Sequence, residues 1–206
     1  MKLDKFVPRF GHFRGPVSNI RPEPQPLELR QIHALLTGPT LREITERIRT
    51  APAGSPEQTR LKNTLPYITG AGVFIPKRAD VQLTIFSRCI LLDFDKVPDV
   101  TAARAALLAD RLLAPALLLL FVSPRGHGLK AVFAADPGKL GTWPAPKHYE
   151  PSPSHTEAKA VLNDNFNALA PYLADRYGLA PDPAAKSLSQ PCFLCYDPAA
   201  HLAPNA

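Results

Sequence analysis

The sequence CILLDFD at residues 89–95 joins a continuous apolar run to two aspartates, Asp93 and Asp95. A short apolar run of this kind is typical of a strand that is covered on both faces of its sheet. Residues i and i+2 of a strand project from the same face, so both carboxylates should point one way while Phe94 enters the core. We therefore predict strand structure from Val81 to Asp95, with an acidic pair at its end.

An acidic pair of this kind is suited to binding divalent metal ions. Two neighbouring carboxylates repel each other, and a hard cation such as Mg²⁺ or Mn²⁺, which prefers oxygen ligands, relieves that repulsion. Carboxylates at a strand end commonly hold two metal ions for phosphoryl transfer. The alternative is a strand that simply ends in a turn, with both aspartates solvated.

The segment SPRGHGLK, residues 123–130, lies between two predicted strands, Leu117–Val122 and Leu129–Ala135. Two strands joined by a glycine-containing turn predict a hairpin. Gly126 and Gly128 permit backbone conformations that turn N–H groups toward an anion. Further donors come from four side chains: Ser123, Arg125, His127 and Lys130. The segment is a candidate triphosphate site or, equally, an ordinary polar hairpin turn.

Helices are predicted around these strands. Thr40 and Glu43 have the spacing of a capping box, and Asp99 or Thr101 is placed to cap an Ala/Leu-rich helix. Another capping box, Ser154 to Glu157, should open a third helix. The order of elements predicts an α+β fold around a sheet. Residues 1–38 lack periodicity and are predicted to be an N-terminal arm or edge element, ahead of a main domain at 39–206.

Charge and cysteine content suggest what kind of partner the protein binds and in which compartment it is found. The formal net charge of +6 over 206 residues favours an anionic partner, of which nucleic acid is the commonest. Three cysteines and no signal peptide suggest a reduced, cytoplasmic protein. The apolar run from Leu112 to Val122 is too short to span a bilayer. Cys192 and Cys195 form a C-x-x-C without a second pair, which argues against a zinc site.

Four segments, taken in order, resemble the N-terminal domain of virulence-associated E-type proteins, a bacterial and mobile-element branch of the archaeo-eukaryotic primase superfamily. The segments are LKNTLPYITGAGVF at 61–74, CILLDFDKV at 89–97, SPRGHGLKAVF at 123–133 and SLSQPCFLCYDP at 187–198. The resemblance implies a primase-like α+β catalytic core, with an RRM-like mixed or antiparallel sheet flanked by helices.

The same resemblance implies roles for individual residues. Asp93, Asp95 and Asp197 would be catalytic carboxylates that bind two Mg²⁺ or Mn²⁺ ions, although the local pattern around Asp197 indicates only a turn before Pro198. The phosphates of the nucleotide would be bound by the turn segment, through Ser123, Arg125, Gly126, His127, Gly128 and Lys130. The chain departs from the superfamily pattern at three positions: Lys130 replaces a histidine, Gln190 an arginine and Cys195 a serine.

The expected function is therefore metal-dependent nucleotidyl transfer by a DNA primase or primase-polymerase domain of a mobile element. Its partners would be a single-stranded DNA template and nucleoside triphosphates. Related proteins often continue into a helicase-like ATPase, but this sequence contains no P-loop motif, so a helicase partner would act in trans or be absent. Lys62, Arg78 and Arg88 are expected to line the template path. The alternatives are a catalytically degenerate nucleic-acid-binding module of the same fold and a metal-dependent nuclease or nucleotide hydrolase.

Overall fold

The computed structural model describes residues 7–135, 153–204 and 206, in which strands and helices are interspersed. The strands are β1 (Arg9–Phe13), β2 (Leu27–Glu28), β3 (Tyr67–Thr69), β4 (Gly72–Phe74), β5 (Leu83–Phe86), β6 (Cys89–Phe94), β7 (Leu117–Val122), β8 (Leu129–Ala134), β9 (Pro191–Phe193) and β10 (His201–Leu202). The helices are α1 (Leu29–Thr37), α2 (Arg42–Thr50), α3 (Pro56–Asn63), α4 (Val100–Ala109) and α5 (His155–Tyr177). The predicted α+β class is confirmed.

The strands pair antiparallel throughout the described part of the chain. A central sheet has the order β10-β7-β8-β6, and a second four-stranded sheet has the order β2-β1-β3-β9. β4 and β5 form a separate pair. β7 and β8 are the predicted hairpin, and β8 also pairs with β6 in a register that sets Asp93 opposite Lys130.

The central sheet is covered on both faces, as the apolar run in β6 predicts. Ile90, Leu92 and Phe94 pack with residues of α4 and α5. The opposite face of the sheet packs against α1, α2, α3 and the second sheet, and Leu91 belongs to that side. Because side chains alternate along a strand, Asp93 lies on the same face as Leu91. This face, directed toward α2, α3 and β9, carries the candidate site.

The strand predicted from Val81 to Asp95 is interrupted. β5 ends at Phe86 and β6 begins at Cys89, and between them Arg88 has a φ of 56°, a left-handed conformation that breaks a strand. The Ser87 side chain donates a hydrogen bond to the Gly70 carbonyl oxygen at 2.7 Å and so fixes the bend. Because of this bend, β5 pairs with β4, whereas β6 enters the central sheet and pairs with β8.

Two of the three predicted helix starts are confirmed. The Asp99 side chain accepts a hydrogen bond from the Ala102 amide at 2.9 Å, and Ser154 and Glu157 form a complete capping box. The capping box predicted at Thr40 is wrong. Residues 39–41 form a 3₁₀ turn that opens with proline, and α2 begins after it at Arg42 without a side-chain cap.

Residues 7–38 share a hydrophobic core with the rest of the chain. β1 lies between β2 and β3 in the second sheet. Phe10 and Phe13 are fully buried, in one cluster with Leu119 and Phe121 of the central sheet. No helix in the described residues has both the length and the apolar character needed to cross a membrane.

Candidate functional site

The acidic pair lies where β6 ends. Asp93 is the penultimate residue of β6, and its carbonyl oxygen accepts a hydrogen bond from the Asp182 amide at 2.8 Å. Phe94 is buried in the core beneath the pair, as predicted, and Asp95 follows as an exposed residue. The end of the strand is thus fixed by the burial of Phe94 in the core and by the hydrogen bond from Asp182, which lies in the loop after α5.

The Asp93 carboxylate forms an ion pair with Lys130 on the neighbouring strand. Asp93 Oδ2 accepts a hydrogen bond from Lys130 Nζ, and the Lys130 side chain is only 5% exposed. Burial by itself lowers the pKa of Lys130, but Cys192 and Asp93 raise it, and the pKa ends above its ordinary value. Burial raises the pKa of the Cys192 thiol to about 11, so near pH 7 Cys192 is neutral and Asp93 is what keeps Lys130 charged.

The other oxygen of the same carboxylate is unpartnered. Asp93 Oδ1 is buried and has no hydrogen-bond partner among the described residues. Buried carboxylate oxygens are normally satisfied, because desolvation without a compensating bond is costly. Asp93 Oδ1 is therefore a candidate position for a ligand atom, either a cation or a hydrogen-bond donor.

The turn that follows β7 approaches the acidic pair closely. His127 accepts a hydrogen bond at its carbonyl oxygen from the Val97 amide at 2.9 Å, which ties the turn to the residues after β6. A Cβ at Gly128 would clash with the Phe94 carbonyl oxygen, so only glycine permits this approach. The amides of Ser123 and Gly126 donate hydrogen bonds within the turn. These two amides are therefore engaged within the turn and are not free to bind a phosphate.

Two cationic side chains flank the pair. Lys62 of α3 is half-buried, with its Nζ 5.1 Å from the centre of the Phe193 ring. Its pKa is lowered first by burial and then by Lys130 and Arg125, an effect that Asp93 and Asp95 partly offset. Arg125 donates a hydrogen bond to Thr59 Oγ1 at 3.3 Å, while its Nε atom is buried without a partner. Three cations therefore lie near two carboxylates at this site.

Asp197 lies elsewhere. Its Oδ2 atom accepts hydrogen bonds from Arg104 Nη2 at 2.7 Å and from the Val122 amide at 2.8 Å, and its Oδ1 atom accepts one from the Ala199 amide at 3.1 Å. Val122 belongs to β7, which is separated from the strand of Asp93 by two inter-strand spacings, about 10 Å. The structure therefore does not bring Asp197 together with Asp93 and Asp95. No cluster of three or more histidine, cysteine or acidic side chains suited to a metal ion occurs in the described residues.

The remaining predicted residues divide between the site and the scaffold. Ser123 is buried at the base of the turn and His127 is exposed at its tip.

Arg78, expected to line a template path, instead donates hydrogen bonds to the carbonyl oxygens of Ser189 and Val17 at 3.0 Å each, so its role is structural. Arg88 lies at the bend between β5 and β6. Cys89, Cys192 and Cys195 are free and buried.

Arg49 of α2 was not anticipated as part of this region. Its Nε atom lies 3.7 Å from the position that a Cβ on Gly126 would occupy, and its Nη2 atom donates a hydrogen bond to the Tyr196 carbonyl oxygen at 3.2 Å. Helical spacing alone marks Arg49 as a solvent-facing residue, so the sequence contains no signal that α2 lies against the turn.

Comparison with known proteins identifies the chain at the level of a family. No curated protein and no solved structure matches it. A family model does match residues 60–201, which is more than half of the chain and includes the acidic pair, the turn and Asp197. The chain therefore belongs to the family described as the BT4734-like, N-terminal domain.

Proposed function

We propose that this chain is a metal-dependent nucleotidyl-transfer domain, of the DNA primase or primase-polymerase type, that serves the replication of a mobile element. The observation that carries the proposal is the unpartnered Asp93 Oδ1 atom in an acidic pair surrounded by Lys62, Arg125 and Lys130. Carboxylates and cations at one site suit a ligand that carries both charges, such as a divalent metal ion with a nucleoside triphosphate.

The donor set fits a divalent cation at Asp93 and Asp95. Asp93 Oδ1 and the exposed Asp95 carboxylate are hard oxygen donors of the kind that Mg²⁺ and Mn²⁺ prefer. Such an ion stabilises negative charge that develops on phosphoryl oxygens. The oxygens of Asp197 are engaged by Arg104, Val122 and Ala199, so the proposal assigns the metal-binding role to the pair alone.

The cationic side chains would orient the triphosphate. Lys130, held by Asp93, and Lys62, held over the Phe193 ring, present ammonium groups whose positions are fixed before any ligand binds. Fixed cations stabilise the charge that spreads over the phosphate oxygens in the transition state, and they need not reorganise to do so. Arg125 adds a buried Nε–H donor that has no partner among the described residues.

The architecture and the sequence resemblance agree with this proposal. A four-stranded antiparallel sheet with α4 and α5 packed on one face is compatible with the primase-like core and RRM-like sheet that the resemblance to virulence-associated E-type proteins implies. The four segments that carry the resemblance lie on α3 to β4, on β6, on the β7–β8 turn with β8, and on β9 with the residues around it.

The test is template-directed extension. The purified chain is incubated with single-stranded or primed DNA, labelled ribo- or deoxyribonucleoside triphosphates, and Mg²⁺ or Mn²⁺. We expect a product whose sequence follows the template, and we expect Asp95→Asn to abolish it, because Asp95 is exposed and its loss leaves the core intact. Asp164→Asn, at an exposed acid on α5, is the matched control. No product from the wild-type chain with either metal would overturn the proposal.

A second candidate is a nucleic-acid-binding module of the same fold that has lost turnover. The engagement of Asp197 by Arg104 and the ion pair of Asp93 with Lys130 favour it, because both carboxylates are already neutralised by cations of the chain. Such a module would bind DNA in a salt-sensitive manner and would yield no extension product. A nuclease or nucleotide hydrolase would instead release shorter strands or free phosphate in the same assay.

A further inference from the structure

The cations near the acidic pair continue along the surface as a row. Arg125 donates a hydrogen bond to Thr59, and Lys62 lies three residues further along the same face of α3, next to the pair. In the other direction Arg49 lies over Gly126. The row consists of Arg49, Arg125 and Lys62. It runs from α2, over the turn, to the strand end that bears Asp93.

These three cations lack acidic partners within bonding distance. The neighbouring Arg42 and Arg60 form ion pairs with Glu46 and Glu57, at 3.7 Å and 2.9 Å. Among the described residues, Arg49, Arg125 and Lys62 form no salt bridge, and the Nε atom of Arg125 is buried without any hydrogen-bond partner. Like charges that converge without salt-bridge partners favour the binding of a polyanion.

An aromatic ring stands at the far end of the row. The Arg49 guanidinium donates to the Tyr196 carbonyl oxygen, and Arg42 stacks over the Tyr196 ring at 4.8 Å from its centre. The Tyr196 hydroxyl also accepts a hydrogen bond from Arg42 at 2.7 Å. Surfaces that bind single strands combine a basic track for the phosphates with aromatic rings and arginine planes for the bases.

We infer that Arg49, Arg125 and Lys62 form a track for the backbone of a single nucleic-acid strand that leads from Tyr196 to Asp93 and Asp95. Lys62 and Arg125, which the proposed function also assigns to the triphosphate, lie at the end of this track next to the acidic pair. A triphosphate alone would not need Arg49 or the aromatic ring beyond the turn. The inference deepens the proposed function and rests on it only for the identity of the strand as a template. The binding itself requires neither metal nor turnover.

The experiment measures binding without metal or triphosphate, so its failure is separable from that of the extension assay. The anisotropy of a labelled oligothymidylate is recorded as the full chain is added at several salt concentrations. A single strand contributes a salt slope of about 0.7 per phosphate contact, so Arg49→Gln, Arg125→Gln and Lys62→Gln should each weaken binding about fivefold at 0.1 M salt and reduce the slope by about 0.7.

Two control variants make the result specific. Arg111→Gln removes an exposed cation just after α4, on the opposite side of the central sheet, and should leave binding unchanged. Arg49→Lys keeps the charge and should retain most of the affinity. Circular dichroism verifies that each variant is folded. The inference is overturned if the three glutamine variants bind the oligothymidylate like the wild-type chain, or if Arg111→Gln weakens binding equally.

Discussion

At the residue scale, the two oxygens of the Asp93 carboxylate differ in their surroundings. Oδ2 pairs with Lys130, while Oδ1 has no partner among the described residues. The ion pair offsets the cost of holding a carboxylate in a partly buried place. It engages only Oδ2, so Oδ1 remains without a hydrogen-bond partner and is the atom of Asp93 that a ligand could contact.

Loss of Lys130 should therefore destabilise the fold. Lys130→Met leaves Asp93 without its counter-charge, and we expect the free energy of unfolding to fall by about 2 kcal/mol, less than the 3–5 kcal/mol of a fully buried pair because the Asp93 side chain is 28% exposed. Urea denaturation measures the change. The double variant Asp93→Asn with Lys130→Met should recover part of the loss, and a Lys130→Met chain as stable as the wild type would refute this description of the pair.

At the element scale, a buried acid joins the end of α4 to α5. Asp110 accepts hydrogen bonds from Tyr172 at 2.7 Å, from Tyr177, and from the amides of Leu112 and Leu113 at 2.7 and 3.0 Å. Burial by itself raises the pKa of Asp110, but these bonds outweigh it, those from Tyr177 and Tyr172 foremost, and lower the pKa to about 2. The charged form of Asp110 therefore stabilises the junction of the two helices.

A pH dependence of stability follows from the lowered pKa of Asp110. Its contribution is fully present above the ordinary carboxyl pKa of 3.8 and is lost as the pH falls toward 2, since the unfolded chain binds the proton first. We expect the free energy of unfolding of the wild type to decline across this interval more steeply than that of Asp110→Asn. Urea titrations at pH 4, 3 and 2 provide the measurement, and parallel declines in the two proteins would contradict the assignment.

The contact between the turn and β6 gives a further prediction. A methyl group at Gly128 would meet the Phe94 carbonyl oxygen, so Gly128→Ala should push β8 away from the strand end that bears Asp95. Overpacking of this kind costs about 1–3 kcal/mol, which a thermal melt detects. Gly54→Asn is the control, because Gly54 has a φ of 73°, which asparagine tolerates, and open space around it. Equal melting temperatures for Gly128→Ala and the wild type would argue against the close approach.

Local sequence patterns predicted the elements better than their contacts. The apolar run before Asp93, the hairpin around Gly126 and the cap at Asp99 depend on neighbouring residues and are recovered. The pairing of Asp93 with Lys130 depends on the register between β6 and β8, which the local pattern of neither strand specifies. Arg49 contacts the turn because α2 packs against the sheet, and Asp197 lies beside β7 because its carboxylate accepts a hydrogen bond from the Val122 amide. Both contacts join residues that are far apart in the sequence, so local patterns do not predict them.

At the scale of the whole molecule, the N-terminal segment belongs to the core. Phe13 is fully buried and stacks on Tyr67, with ring centres 4.8 Å apart. Phe10 lies in the same cluster, which extends to Phe121 of the central sheet. The second sheet thus supports the face on which the acidic pair lies, and the N-terminal strand β1 is an interior member of it.

Truncation of Phe13 should consequently destabilise the entire chain. Phe13→Ala removes a buried ring, and we expect the free energy of unfolding to fall by about 3–5 kcal/mol in a single cooperative transition. Val7→Ala, at a residue that is 43% exposed, should have little effect. A Phe13→Ala chain that unfolds at the wild-type urea concentration would indicate that residues 7–38 are an arm independent of the core.

The most direct test of the central claim is a titration of the chain with Mn²⁺, in which electron paramagnetic resonance measures the free ion. The acidic pair predicts saturable binding by the wild-type chain, tightened by a nucleoside triphosphate, and at least tenfold weaker in Asp95→Asn. Asp164→Asn should bind like the wild type, and so should Asp197→Asn if that variant is folded. Absence of saturable binding with triphosphate present, or unchanged binding by Asp95→Asn, would contradict a metal site at Asp93 and Asp95.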